Sequence, residues 1–188
     1  MSKVDKLIND AKKKLKNEIL EIENRTDISN DEKANRIIKT ISTTCAAIAI
    51  QPIPFQDVFI LTPIQAYMGT RIAAIRGVPT SKAEITEIIK EIAGVAGMGL
   101  LAQQLVLGAY KVGLPGLGGF MSIPVVYGMT FAIGKVMDEY LISKSKNKTF
   151  DPETLKSSWK EWLEKGKSEG KKIKKDIIKS VKKNENQS

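Results

Sequence analysis

Apolar residues recur at spacings of three and four from the first turns of the chain. Val4, Ile8, Ala11, Leu15, Ile19 and Ile22 share one face, which predicts an amphipathic helix. Residues 25–30 end it, and Ser29-Asn30-Asp31-Glu32 has the Ser-x-x-Glu form of a capping box. A second helix follows on the stripe Ala34, Ile37, Ile38, Ile41, Cys45 and Ile48. It turns apolar on all sides at CAAIAI and stops at Gln51-Pro52-Ile53-Pro54, because proline lacks a donor and restricts the residue before it. Asp57 is placed to cap a third helix over Val58–Ile75, with Pro63 inside it. Arg76-Gly77-Val78-Pro79-Thr80 reads as a turn, and Ser81-Lys82-Ala83-Glu84 as a second capping box. Ile85, Ile88, Ile89 and Ile92 begin a fourth helix, expected to continue through AGVAGMGLLAQQLVLGAY.

The stretch GLPGLGG (113–119) breaks that run. A fifth helix is expected from about Phe120 to Ile142, with Pro124, Gly128 and Gly134 inside it. Ser143–Thr149 is a polar linker, and Asp151-Pro152-Glu153 is a helix start with Asp at N-cap and Pro at N1. Leu155, Trp159, Trp162 and Leu163 make its stripe. Past Gly166 and Gly170, Ile173, Ile177, Ile178 and Val181 make a further short stripe, and residues 184–188 are expected to fray. There is no strand alternation and no fixed repeat. The pattern predicts an all-α fold, a compact bundle of two glycine- and proline-punctuated apolar hairpins (40–50 with 58–75, and 92–110 with 117–137) flanked by amphipathic terminal helices. Three regions follow: an N-terminal helical region 1–39, an apolar core 40–142 and a basic helical tail 143–188.

Charge sharpens this division. The formal net charge is +9. Residues 1–40 contribute +2, residues 41–139 nothing, and residues 140–188 contribute +7, from 14 lysines against 7 carboxylates. Such a tail suits anionic lipid, nucleic acid or an acidic partner. The N-terminus MSKVDKLINDAKKKLKNEI has no apolar core of the secretory type and is not read as a secretory signal.

Composition removes several chemistries. The chain has no histidine, so histidine triads, histidine metal ligands and histidine proton shuttles are excluded. Cys45 is the one cysteine; it lies on an apolar stripe with no base nearby, which reads as a buried thiol. Gly128–Val136 imitates a phosphate loop but has five residues between its glycines rather than four, no hydroxyl after Lys135, and no preceding strand. Gly94-Val95-Ala96-Gly97-Met98-Gly99 has its glycine spacings in the reverse order of the dinucleotide fingerprint. No cofactor, metal or catalytic residue is expected. Asp57 reads as a helix cap, and Asp138-Glu139 has no acid–base partner in the sequence.

Glycine has another use, the close approach of helices. Gly94, Gly97 and Gly128 are expected at helix contacts, and Pro115, Gly116, Gly118 and Gly119 at the turn between helices. The uncharged runs Ile92–Tyr110 and Val112–Gly134 are 19 and 23 residues long, near the roughly 20 residues that span a bilayer. Gln103-Gln104 and the modest hydrophobicity of glycine and alanine argue instead for a soluble core. If the second hairpin inserts, both its ends lie on one side, and the basic tail makes that side cytoplasmic. In the tail, Trp159 and Trp162 beside Lys160 match an interfacial helix, and Lys171, Lys172, Lys174 and Lys175 would add attraction to anionic lipid. The same tryptophans could equally pack on the bundle.

The pattern over about residues 40–142 resembles a bacterial domain of unknown function found C-terminal to Era-like GTPase domains and in small inner-membrane companions of GTPases. The stretches that carry the resemblance are AIAIQPIPFQDVFILTPIQAYM (47–68), Arg76-Gly77-Val78, LPGLGG (114–119) and TFAIG (130–134). It implies a helical, membrane-associated module without catalytic residues. This chain has an amphipathic helical region where a GTPase domain would stand, so the resemblance implies a GTPase partner supplied in trans. The expectation is a non-enzymatic module at the cytoplasmic side of the bacterial inner membrane, or in the cytoplasm. Its expected partners are an anionic membrane surface, a GTPase in trans, or further copies of itself. A self-associating soluble scaffold and a membrane-permeabilising effector are the alternatives. Nucleic acid is the weakest partner, since the lysines come with little arginine and no reading module.

Overall fold

The computed structural model describes residues 3–50, 56–78, 80–95, 118–149 and 151–185. They form helices α1 (Lys3–Asn24), α2 (Asn30–Ile48), α3 (Gln56–Ile75), α4 (Lys82–Val95), α5 (Gly118–Ser145) and α6 (Pro152–Glu185), with no strand among the described residues. The fold is all-α.

The helix starts follow the local chemistry of the sequence. Ser29 Oγ accepts from the Glu32 amide at 3.2 Å. Ser81 and Glu84 form the full reciprocal box, with Ser81 N–H donating to Glu84 at 2.7 Å and Glu84 N–H to Ser81 Oγ at 3.2 Å. Asp151 accepts from the Thr154 amide at 3.0 Å. α3 begins two residues before the expected Val58, so Asp57 lies within its first turn. Both prolines expected inside helices, Pro63 and Pro124, are there.

Two helix ends share one device. After α3, Val78 N–H bonds Ala73 O and Gly77 N–H bonds Ala74 O, with Gly77 at φ +68°. This 6→1 and 5→2 pair is the Schellman arrangement. After α5, Lys148 and Asn147 repeat it onto Ser143 and Lys144, with Asn147 at φ 53°. Asparagine tolerates the left-handed region better than other non-glycine residues.

α6 runs through Gly166 and Gly170 as one helix of 34 residues, so the stripes on either side of them belong to one element. Both glycines sit where α6 crosses α5. A β-carbon on Gly166 would lie 2.9 Å from Gly128 Cα, and one on Gly170 would lie 2.9 Å from Pro124 Cα. Packing recovers what helical glycine loses, about 1 kcal/mol each.

α5 is the axis of the bundle. It packs on α2, α3, α4 and α6, and Ile123, Phe131, Met137 and Leu141 are fully buried. Being surrounded explains why it is apolar all round. The arm Val112–Gly134, as far as it is described, thus fills the protein's own core. Among the described residues, no helix is long and apolar enough to cross a membrane.

Cys45 is fully buried on α2, and burial pushes its thiol up to about 12. Reaction needs the thiolate. The native protein is therefore expected to resist a disulfide-forming thiol reagent and to react with one equivalent once unfolded in guanidinium. Prompt native reaction would contradict the buried placement.

Candidate functional site: a basic, apolar end of the bundle

Helix directions place the site. α1 runs antiparallel to α2, with Glu18 at Thr40 (3.2 Å) and the Glu23 carbonyl accepting from Lys33 (2.8 Å). α2 runs antiparallel to α5: Ile38 faces Gly134, and the Ala49 carbonyl accepts from Ser122 at 3.4 Å. α3 runs parallel to α5, since Gln65 donates to Thr130 at 3.2 Å while Gly69 abuts Met137. The turn after α3 sends α4 back beside it, with Ile85 against Gly69. α6 runs antiparallel to α5 along the glycine seam.

One end of the bundle therefore gathers the start of α1, the end of α2, the starts of α3 and α5, the end of α4 and the last third of α6. The opposite end holds the turns near 25–29, 76–81 and 146–151. The two ends differ in chemistry.

The turn end is polar and cross-tied. Arg76 donates through Nε and Nη2 to both oxygens of Asp138 at 2.7 and 2.8 Å, and through Nη1 to Asp31 at 2.6 Å. It joins α2, α3 and α5, and both Arg76 and Asp138 are 11% exposed in their side chains. The bonds to Asp138 hold the guanidinium well above its ordinary pKa. Arg71 forms a two-pronged pair with Glu23, and Asn30 Nδ2 donates to the Ile75 carbonyl at 3.2 Å, capping α3.

The other end is basic. Elements there are joined by residues 51–55 and 96–117, whose sequences contain one charge, Lys111. Residues 3–17 hold six lysines against Asp5 and Asp10, and residues 170–185 hold seven against Asp176 and Glu185. These two stretches contribute +4 and +5, which is the whole of the net +9; the rest of the chain is neutral. Lys13, Lys14 and Lys16 are exposed on α1, as are Lys171, Lys172, Lys175, Lys179 and Lys183 on α6. At 100° per residue the last five fall within an arc of about 120°. Ile173, Ile177 and Val181 face the other way, and Ile177 is buried.

The expected site residues divide accordingly. Lys160, Lys171, Lys172 and Lys175 are exposed, and Lys174 is half-buried. Trp159 is buried, at 5% exposure, and belongs to the core. Trp162 is half-buried and donates its indole N–H to Glu139 at 2.7 Å. The tryptophans thus take the second of their two expected roles, packing on the bundle, because α6 lies flat along α5. Gly128 packs against the α6 backbone, and a β-carbon on Gly94 would meet nothing within 4 Å among the described residues. Gly118 and Gly119 open α5. Gly97, Pro115 and Gly116 lie outside the described residues. Gly166, Gly170 and the α1 lysines escaped the sequence reading. The four-residue spacing of the two glycines was the available signal for the first; nothing local signals that α1 and α6 share an end.

No group of metal-ligating side chains occurs among the described residues. A cleft of about 500 Å³ between α1 and α2 is lined by Glu18, Glu21, Arg25, Glu32, Arg36 and Lys39. Within it Arg36 pairs with Glu32 at 2.7 Å, while Arg25 pairs with Asp27 and Lys39 with Glu169 outside the lining.

A family model described as a domain of unknown function (DUF697) matches residues 14–183. The chain belongs to this family. The match runs across the N-terminal helix, the apolar core and the tail, as the buried core does, from Leu15 to Ile177. Comparison with curated proteins and with solved structures returned no match.

Proposed function

We propose that the protein is a non-enzymatic helical module that docks by its basic, apolar end on an anionic membrane surface, such as the cytoplasmic leaflet of a bacterial inner membrane. The net charge of residues 3–17 and 170–185, at the end whose connecting sequences carry the single charge Lys111, supports this reading. A lysine near an anionic surface contributes about 1 kcal/mol, and only within a Debye length of about 8 Å at physiological salt. Lysines scattered over the bundle could not act together; lysines on one end can. Stable peripheral binding needs two signals; the polybasic face supplies one and the apolar sequence of residues 51–55 and 96–117 the other. The soluble self-associating scaffold has less support: among the described residues, Leu20 is the one large apolar side chain that is exposed, at 38%.

Flotation with phosphatidylcholine vesicles, with and without phosphatidylglycerol, tests the proposal. Binding is expected only with the anionic lipid and should weaken as salt rises. Replacing Lys171, Lys172, Lys175 and Lys179 together by glutamine should weaken it by roughly a hundredfold or more. Wild-type protein left unbound at low salt, or a variant that floats equally well, would sink the reading. Dye leakage from the same vesicles would favour the membrane-permeabilising alternative. End-on docking leaves the polar end facing away from lipid, where a partner such as a GTPase in trans can reach it. Co-purification of a GTPase from solubilised membranes would support that partner; its consistent absence would count against it.

A further inference from the structure

One helix reaches farther than the others at the basic end. On the glycine seam, Gly166 of α6 lies against Gly128 of α5, and Gly170 against Pro124. This antiparallel register sets residue 176 of α6 opposite Gly118, where α5 begins. Residues 177–185 therefore run past the start of α5, by about 13 Å at 1.5 Å per residue. The contacts of Ile38 with Gly134, and of Ile85 and Met137 with Gly69, leave the ends of α2 and α4 short of that level. Glu18 beside Thr40 brings the start of α1 about level with Gly118. Among the described residues, the end of α6 projects farthest.

Charge changes along the same helix. Residues 153–169 carry four lysines and four glutamates, whereas residues 170–185 carry seven lysines against Asp176 and Glu185. Glu153, Glu161 and Glu164 are exposed, and at 100° per residue they fall in the same arc as Lys171, Lys175 and Lys179. If α6 lay flat on anionic lipid by its lysine arc, these carboxylates would be pressed against like charge. Standing α6 on its end keeps its last lysines at the surface and lifts the carboxylates away. On the projecting turns Lys179 and Lys183 are exposed. Val181, one turn beyond the buried Ile177, is half-buried and has no α5 residue opposite it.

Building on the docking reading above, we infer that residues 177–185 are the part that enters an anionic bilayer. α6 stands steeply on the surface, with Lys179 and Lys183 among the lipid phosphates and Val181 at the acyl boundary. Lysines farther back contribute little. Lys160 lies 23 residues from Lys183, about 35 Å along the helix, which is several screening lengths of about 8 Å.

Val181→Cys carrying an environment-sensitive fluorophore tests this in the full chain, because the buried Cys45 does not compete for the label. With vesicles of phosphatidylcholine and phosphatidylglycerol, a blue shift is expected, with quenching by doxyl groups on the lipid tails. The same label on Ser157→Cys, exposed in the lysine arc 24 residues away, should show neither. Lys179→Gln with Lys183→Gln should weaken flotation roughly tenfold or more. Lys160→Gln with Lys165→Gln removes as much charge but should weaken it less than about threefold. Equal losses, or a lipid signal at residue 157, would show α6 lying flat and overturn the inference while the docking stands. Flotation without a signal at residue 181 does the same. Wild-type protein that does not float overturns both.

Discussion

Gly166→Leu is expected to prevent the α5–α6 seam from closing and to leave little folded protein at 25 °C. A β-carbon at Gly166 would lie 2.9 and 3.1 Å from Gly128 Cα and O, and 3.0 Å from Phe131 Cβ. Two of these are backbone atoms, which cannot rotate aside as a side-chain tip can. Gly166→Ala gains about 1 kcal/mol of helix propensity against overpacking of about 1–3 kcal/mol. A net loss of up to about 2 kcal/mol is expected in urea unfolding, and leucine extends the clash by three more carbons. Gly94→Ala is the control, since its β-carbon would meet nothing within 4 Å among the described residues; it should stabilise by up to about 1 kcal/mol. An alanine at 166 that stabilises as much as one at 94 would show that the helices are not in close contact there.

Arg76→Ala is expected to cost about 3 kcal/mol, because it strands Asp138, which is 11% exposed, without a countercharge. That is a large part of the 5–15 kcal/mol typical of a folded domain. Asp31→Ala should cost less than about 1 kcal/mol, since Asp31 is 82% exposed and exposed pairs contribute little. Replacing the pair together, as Arg76→Met with Asp138→Leu, should recover most of the loss, because a packed apolar pair can match a buried ion pair. Equilibrium unfolding of the four proteins checks the ordering. Equal costs for Arg76→Ala and Asp31→Ala would show that the exposed arm, rather than Asp138, carries the contact.

Much of the secondary structure was legible in the sequence. The capping boxes at Ser29 and Ser81 and the Asp151-Pro152 start act within one turn, so local chemistry places them. The stripe Ile37, Ile38, Ile41 and Cys45 named its own buried face, because helical period and burial share a cause. The tail was harder. Gly166 and Gly170 look like helix breakers in isolation, and only the partner helix turns them into contact points. Trp159 and Trp162 beside lysines suit an interface with lipid or one with protein, and a one-dimensional pattern cannot separate the two. The projection of the end of α6 carried no local signal, since it is measured against α5.

The sequence by itself determined the helices, the turns, the excess of lysine and the lack of histidine chemistry, all of which depend on residues a few positions apart or on counts. Only the tertiary structure decided that α5 is the buried axis, that Arg76 ties three helices, and that lysines near both termini meet at one end. Those facts join residues far apart in the chain: Arg76 lies 45 positions from Asp31 and 62 from Asp138, and the lysines of the two ends lie farther apart still. Helix direction and packing fix their distances, and neither is written in any short stretch of the chain.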